Sequence, residues 1–108
     1  MTGKMPKPGD VILTKVQFTD TFEIKKRPAV ILFEELDNII VAGITSNTKI
    51  KGILITKKEG VIKDSVIKLN YIFTISRNMI EKVLFTISKE KQNQIYKELV
   101  NKMALLNQ

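Results

Sequence analysis

Two apolar runs rich in β-branched residues, Ala29-Val30-Ile31-Leu32-Phe33 and the stretch from Ile39 to Asn47, flank the polar, acidic segment Glu34-Glu35-Leu36-Asp37-Asn38. This pattern predicts a β-hairpin. With the turn centred on Leu36, Phe33 faces Ile39, Ile31 faces Val41, Ala29 faces Gly43 and Arg27 faces Thr45. Side chains alternate between faces, so Arg27 and Thr45 project from the same side with facing Cβ atoms about 5 Å apart. Pro28, Val30, Leu32, Ile40, Ala42 and Ile44 form the opposite face. Apolar residues on both faces imply a buried, central hairpin. A slip of one residue in the turn would put Arg27 and Thr45 on opposite sides.

Before the hairpin, residues 1–8 hold Gly, Pro and Lys without periodicity and are expected to be a short leading arm. Gly9-Asp10 starts a strand over Val11 to Val16, and a loop from Gln17 to Ile24 leads to Lys25-Lys26-Arg27-Pro28. After the hairpin, strands are expected at Gly52 to Thr56, Ser65 to Leu69, Ile72 to Ser76 and Glu81 to Ile87. They are separated by a turn at Lys57-Lys58-Glu59-Gly60, a bend at Asn70-Tyr71 and a turn at Arg77-Asn78-Met79. Ser88 is a predicted N-cap for a helix from Lys89 to about Leu105. Its apolar residues Ile95, Tyr96, Leu99, Val100, Met103 and Leu106 recur at three- and four-residue spacing, a stripe expected to pack on the sheet. Short strands with closely spaced turns and one C-terminal helix predict a mainly β fold, a small, strongly curled antiparallel sheet or barrel. A length of 108 residues fits one domain, with neither repeat nor linker.

Charge narrows the picture. The net charge is +7, which attracts polyanions such as nucleic acid, or an acidic protein. Arg27 and Arg77 are the only arginines among eighteen cations, so a chain that otherwise uses Lys places a planar, permanently charged fork at two positions. Between Lys49 and Lys68 the lysines outnumber Glu59 and Asp64, giving either a phosphate track or a solvated face. Phe18 and Phe22 are candidates to stack on bases or to cap the core. Without Cys or His there is no thiolate, no imidazole base and no imidazole metal ligand, so catalysis would rest on Arg, Lys, carboxylate or hydroxyl groups. No apolar run reaches the roughly 20 residues of a membrane span, and a soluble cytoplasmic protein is expected.

Several blocks, in order, resemble the MazF/PemK family of toxins from type II toxin-antitoxin systems. They are Gly9-Asp10-Val11-Ile12-Leu13, Phe18-Thr19-Asp20, Lys26-Arg27-Pro28-Ala29-Val30-Ile31-Leu32, Ile44-Thr45-Ser46, Lys63-Asp64-Ser65-Val66-Ile67-Lys68-Leu69, and Ile75 followed by the helix. The resemblance implies an SH3-like barrel homodimer. It implies an endoribonuclease that cuts single-stranded RNA at short sequences without a metal or other cofactor, leaving a cyclic phosphate and a 5′-hydroxyl. It also implies neutralisation by an acidic, partly disordered antitoxin lying in the RNA groove.

By the same resemblance the catalytic arginine falls on Arg27 and the catalytic threonine on Thr45. Phe18, Asp20, Ser46, Asn47, Lys49, Asp64 and Ser65 are candidates for base reading or phosphate contact, and Asp20 or Glu23 for a carboxylate base. Asp64 would repel phosphate, so a base-edge acceptor or a structural role suits it better. The chain departs from the family pattern in four places, one being that the histidine some relatives use has no counterpart here. The loop before Arg27 lacks the glycines often found there, Gly43 stands where relatives often have proline, and Phe73 stands where some have arginine. Two other readings remain open, a basic barrel that binds nucleic acid without cutting it and a toxin-fold protein that poisons a protein target.

Overall fold

The computed structural model describes residues 5–17 and 24–108. Six strands form one sheet: β1 (Asp10–Gln17), β2 (Ile24–Glu35), β3 (Asn38–Thr45), β4 (Ile53–Ile55), β5 (Ser65–Ser76) and β6 (Ile80–Thr86). Their order is β4-β5-β3-β2-β1-β6, and every neighbouring pair is antiparallel. Helix α1 (Lys89–Met103) follows, so the curled antiparallel sheet with one C-terminal helix is the fold class expected from the sequence.

The hairpin departs from its predicted register at one end. Its turn lies between strands at Leu36 and Asp37, both with positive φ (51° and 68°), so the ladder starts at Glu35↔Asn38 and Phe33 faces Ile40, not Ile39. A bulge at Leu32 then adds one residue to β2 and returns the ladder to Ile31↔Val41, Val30↔Ala42 and Ala29↔Gly43, the pairing expected from the sequence. The inner half of the hairpin is buried on both faces. Val30, Ala42 and Ile44 join Val11, Ile53, Ile55, Ile67, Leu69 and Ile87 in one core, whereas Ala29, Ile31 and Val41 pack with Ile12, Ile39 and Ile75 in a second.

A larger irregularity shapes β5. Its expected interruption at Asn70-Tyr71 is absent, and the strand runs unbroken through those residues. They lie instead within a bulge. Opposite the two steps from Ala42 through Gly43 to Ile44, β5 runs five steps from Ile72 back to Ile67. The surplus residues bend the sheet sharply at Gly43.

Ser88 caps α1 by accepting the Lys91 N–H at 3.1 Å. Of the predicted stripe, Ile95 is buried in the first core and Leu99 packs partly against it, but Tyr96, Val100, Met103 and Leu106 are exposed. The stripe therefore meets the sheet only through its first half. Lys91 anchors that half, donating from Nζ to the Leu54 carbonyl at 2.6 Å and pairing with Glu59 at 3.4 Å. The start of β1 is tied down by Asp10, whose buried carboxylate accepts from the Lys7 N–H at 3.0 Å, the Lys7 ammonium at 3.0 Å and the Thr86 hydroxyl at 2.6 Å. Burial opposes its charge, yet the bonds from Thr86 and Lys7 outweigh this and hold its pKa below the ordinary carboxylate value.

Candidate active site

The β2–β3 ladder ends at Ala29↔Gly43, two residues short of Arg27 on one strand and Thr45 on the other. Both line one open groove of about 680 Å³, walled by the start of β2, the end of β3, the segment 60–63 and the bent part of β5. Pro28 precedes the buried run and has no N–H to lend to the ladder, which suits the end of the paired hairpin. Arg27 itself is exposed, so a guanidinium stands at the rim of a rigid scaffold.

Thr45 is oriented by its own chain. Its Oγ1 accepts the Asn47 N–H at 3.2 Å, and the Asn47 Oδ1 accepts the Lys49 N–H at 3.1 Å. These two local turns fix the segment after β3 and use one acceptor site on the threonine oxygen, leaving its hydrogen to point elsewhere. Ser46 also lines the groove, but Asn47 and Lys49 do not; they act on it through the backbone.

Ser65 borders the groove, nearly buried, and donates its hydroxyl to the Lys63 carbonyl at 2.8 Å. Asp64 points away and accepts the Lys57 N–H at 3.0 Å, closing the loop between β4 and β5. Phe18, Asp20, Phe22 and Glu23 lie outside the described residues. Arg77 sits at the far end of the hairpin, where it pairs with Glu34 and braces β2 against the turn before β6.

Sequence reasoning passed over part of the lining. Lys63 and Lys68 stood there as members of a lysine-rich stretch and of a block that resembles the family, with no role in a site, Tyr71 only as part of a bend, and Phe73 only as a departure from the family pattern. All four face the groove, and with Arg27 they make a cationic, partly aromatic surface. Among the described lining residues there is no carboxylate. The Tyr71 and Phe73 rings are tilted with centroids 5.0 Å apart, and the Lys68 ammonium lies 5.2 Å from the Tyr71 centroid. Gly43 supplied the signal that was available: a Cβ there would stand 2.6 Å from the Tyr71 ring, so the absent side chain is the seat of the aromatic one. Beyond the pair lies a second, smaller hollow, bordered by Lys15, Val16, Thr74, Ile75 and Met79 together with the same two rings. Glu81, which pairs with Lys26 at 3.1 Å and Lys15 at 3.8 Å, is held below the ordinary carboxylate pKa chiefly by the bond from Lys26.

Such a surface can neutralise a phosphodiester, donate hydrogen bonds to it and offer π-faces to its bases. Residues 7–102 match the sequence profile of a family described as PemK-like, MazF-like toxin of type II toxin-antitoxin system. Among solved structures, the Mycobacterium tuberculosis toxin MazF-mt6 is similar, with 20% identity and a TM-score of 0.66 over 86% of this chain and 93% of that one. At that identity the likeness is one of fold. No curated protein matches the chain.

Proposed function

Because this chain belongs to the PemK-like, MazF-like toxin family of type II toxin-antitoxin systems, we propose that it is a sequence-specific endoribonuclease that cleaves single-stranded RNA through the RNA's own 2′-hydroxyl, without a metal. The observation that carries the reading is the shared groove of Arg27 and Thr45, with Lys63 and Lys68 beside them.

In this reaction the 2′-oxygen attacks the adjacent phosphorus, the bond from phosphorus to the 5′-oxygen breaks, and the products are a 2′,3′-cyclic phosphate and a 5′-hydroxyl. One proton leaves the 2′-hydroxyl and one reaches the departing 5′-oxygen. The fork of Arg27 suits two non-bridging phosphate oxygens and stays charged at any working pH, so it stabilises the pentacoordinate phosphorane rather than acting as a base. Thr45, its oxygen engaged by the Asn47 N–H, donates its hydrogen toward the same phosphate or the leaving oxygen. Asp20 and Glu23 remain the carboxylates to test as the base.

The family also implies an antitoxin partner. A cationic groove of this kind suits an acidic antitoxin segment as well as RNA, and a homodimer in the cytoplasm is the assembly and place proposed for it. Incubation with a long RNA in the presence of a chelator tests the reading. Discrete fragments with cyclic phosphate ends are expected, with Arg27→Ala slowed about 10²- to 10³-fold; RNA left intact by the unsubstituted protein would overturn it. The second reading, a nucleic-acid-binding module without catalysis, is favoured by the lack of a carboxylate among the described groove residues. It would show steeply salt-dependent binding and no product.

A further inference from the structure

We propose that Tyr71 is a base-stacking platform for the nucleobase next to the phosphate held at Arg27, with Phe73 as its support. The proposal deepens the reading of the groove as an RNA site and rests on it.

Three observations converge on this position. The Tyr71 ring is seated over Gly43, where any side chain would collide with it, so one part of the ring is backed by the hairpin while the residue stays 45% exposed. Gly43 belongs to the same rung that ends the ladder below Arg27 and Thr45, which puts the ring beside the groove's polar groups. Finally, Tyr71 and Phe73 border both the groove and the second hollow, so the pair is a divider between two spaces, not the floor of one. The bulge of β5 opposite Gly43 supplies the bend that carries Tyr71 to this place.

An aromatic ring held from behind and covered in front only by a displaceable lysine ammonium is what a splayed, unstacked base requires. Lys68, whose ammonium stands 5.2 Å from the ring centroid, marks the ring as accessible to a cation and is close enough to exchange that contact for a phosphate oxygen when a base arrives. A single strand crossing the divider would keep its phosphate against Arg27 while the base rests on Tyr71. Thr74 and Lys15 in the second hollow are placed to meet what lies beyond. Stacking of this kind accepts any base, so Tyr71 sets affinity and the path of the strand more than the sequence read.

The test separates bases from backbone. Binding of the unsubstituted protein and of Tyr71→Ala, Tyr71→Leu and Tyr71→Phe is measured against a single-stranded deoxyoligonucleotide, which cannot be cut through a 2′-hydroxyl, and against an abasic oligomer of the same length. Tyr71→Ala and Tyr71→Leu are expected to weaken binding of the base-bearing oligomer about 5- to 150-fold and to leave the abasic one unchanged, while Tyr71→Phe keeps both. Equal losses on both oligomers, no loss on either, full binding by Tyr71→Leu, or no binding by the unsubstituted protein would each overturn the platform. A separate cleavage assay on RNA keeps the two proposals apart: intact RNA there sinks the nuclease reading, whereas the stacking result is decided by the oligomers alone.

Discussion

Asp10 offers a quantitative test of how the sheet is closed at the start of β1. Its carboxylate is fully buried and accepts hydrogen bonds from the Lys7 N–H, the Lys7 ammonium and the Thr86 hydroxyl. Asp10→Ala leaves these donors without their acceptor, and losing a buried acceptor of this kind costs about 2–4 kcal/mol. Lys7→Met should cost much less, about 1 kcal/mol, because the Lys7 side chain is half exposed and its charge is screened. The pH dependence follows from the lowered pKa. With the folded value depressed below the unfolded one, the folded protein holds its proton less tightly, so the stabilisation is complete above the ordinary carboxylate range and disappears as pH falls through the folded pKa. Urea unfolding at pH 7 and again below pH 4 should therefore show the unsubstituted protein losing more stability on acidification than Asp10→Asn, whose amide does not titrate. Identical acid sensitivity of the two proteins, or an Asp10→Ala cost below about 1 kcal/mol at pH 7, would refute the account of this cluster.

Other substitutions address the hairpin, the helix contact and the groove. Leu36→Gly should stabilise the fold by about 1 kcal/mol in urea melts, because Leu36 pays for φ +51° at an exposed turn with no burial in return. Gly9→Ala should destabilise by about 2 kcal/mol: φ is +91°, and the added Cβ would stand 2.6 Å from the Gln92 side chain that donates to the Ile87 carbonyl. In the RNA cleavage assay Thr45→Ala should reduce the rate about 10- to 100-fold with an unchanged circular dichroism spectrum, and Thr45→Ser should recover most of it; equal rates for all three proteins would remove Thr45 from the mechanism.

The inner hairpin was legible because β-branched runs on either side of an acidic turn leave little choice of pairing, and the alternation of Val30 and Ile31 with Ala42 and Val41 fixes which residue enters which core. The bulge at Leu32 was not, since leucine is at home in a regular rung and in a bulge alike. Two displacements at that end, the turn one half-step late and the bulge one residue long, offset each other before Ala29. Arg27 and Thr45 could be brought to one end of the hairpin for the same reason. Tyr71 could not: Asn70-Tyr71 carries a break signal, and only the pairing with β3 shows that the strand absorbs it as a bulge. The helix stripe was readable as a period but not as a contact, because spacing says that one side is apolar and nothing about how far the sheet extends beneath it. Ile95 reaches the core and Met103 lies past its edge.

The extra residue at Leu32 also separates the two ends of the hairpin mechanically. Leu36 and Asp37 form a tip separated from the Arg27 end by the six paired rungs and two further residues, about 26 Å at strand spacing, and Leu36 is 87% exposed. An alteration at that tip can be taken up as slack at Leu32 instead of being passed along the ladder. The tip is thus the natural handle on the molecule, a point where a fluorophore or an affinity peptide can be grafted while the Arg27 end keeps its alignment.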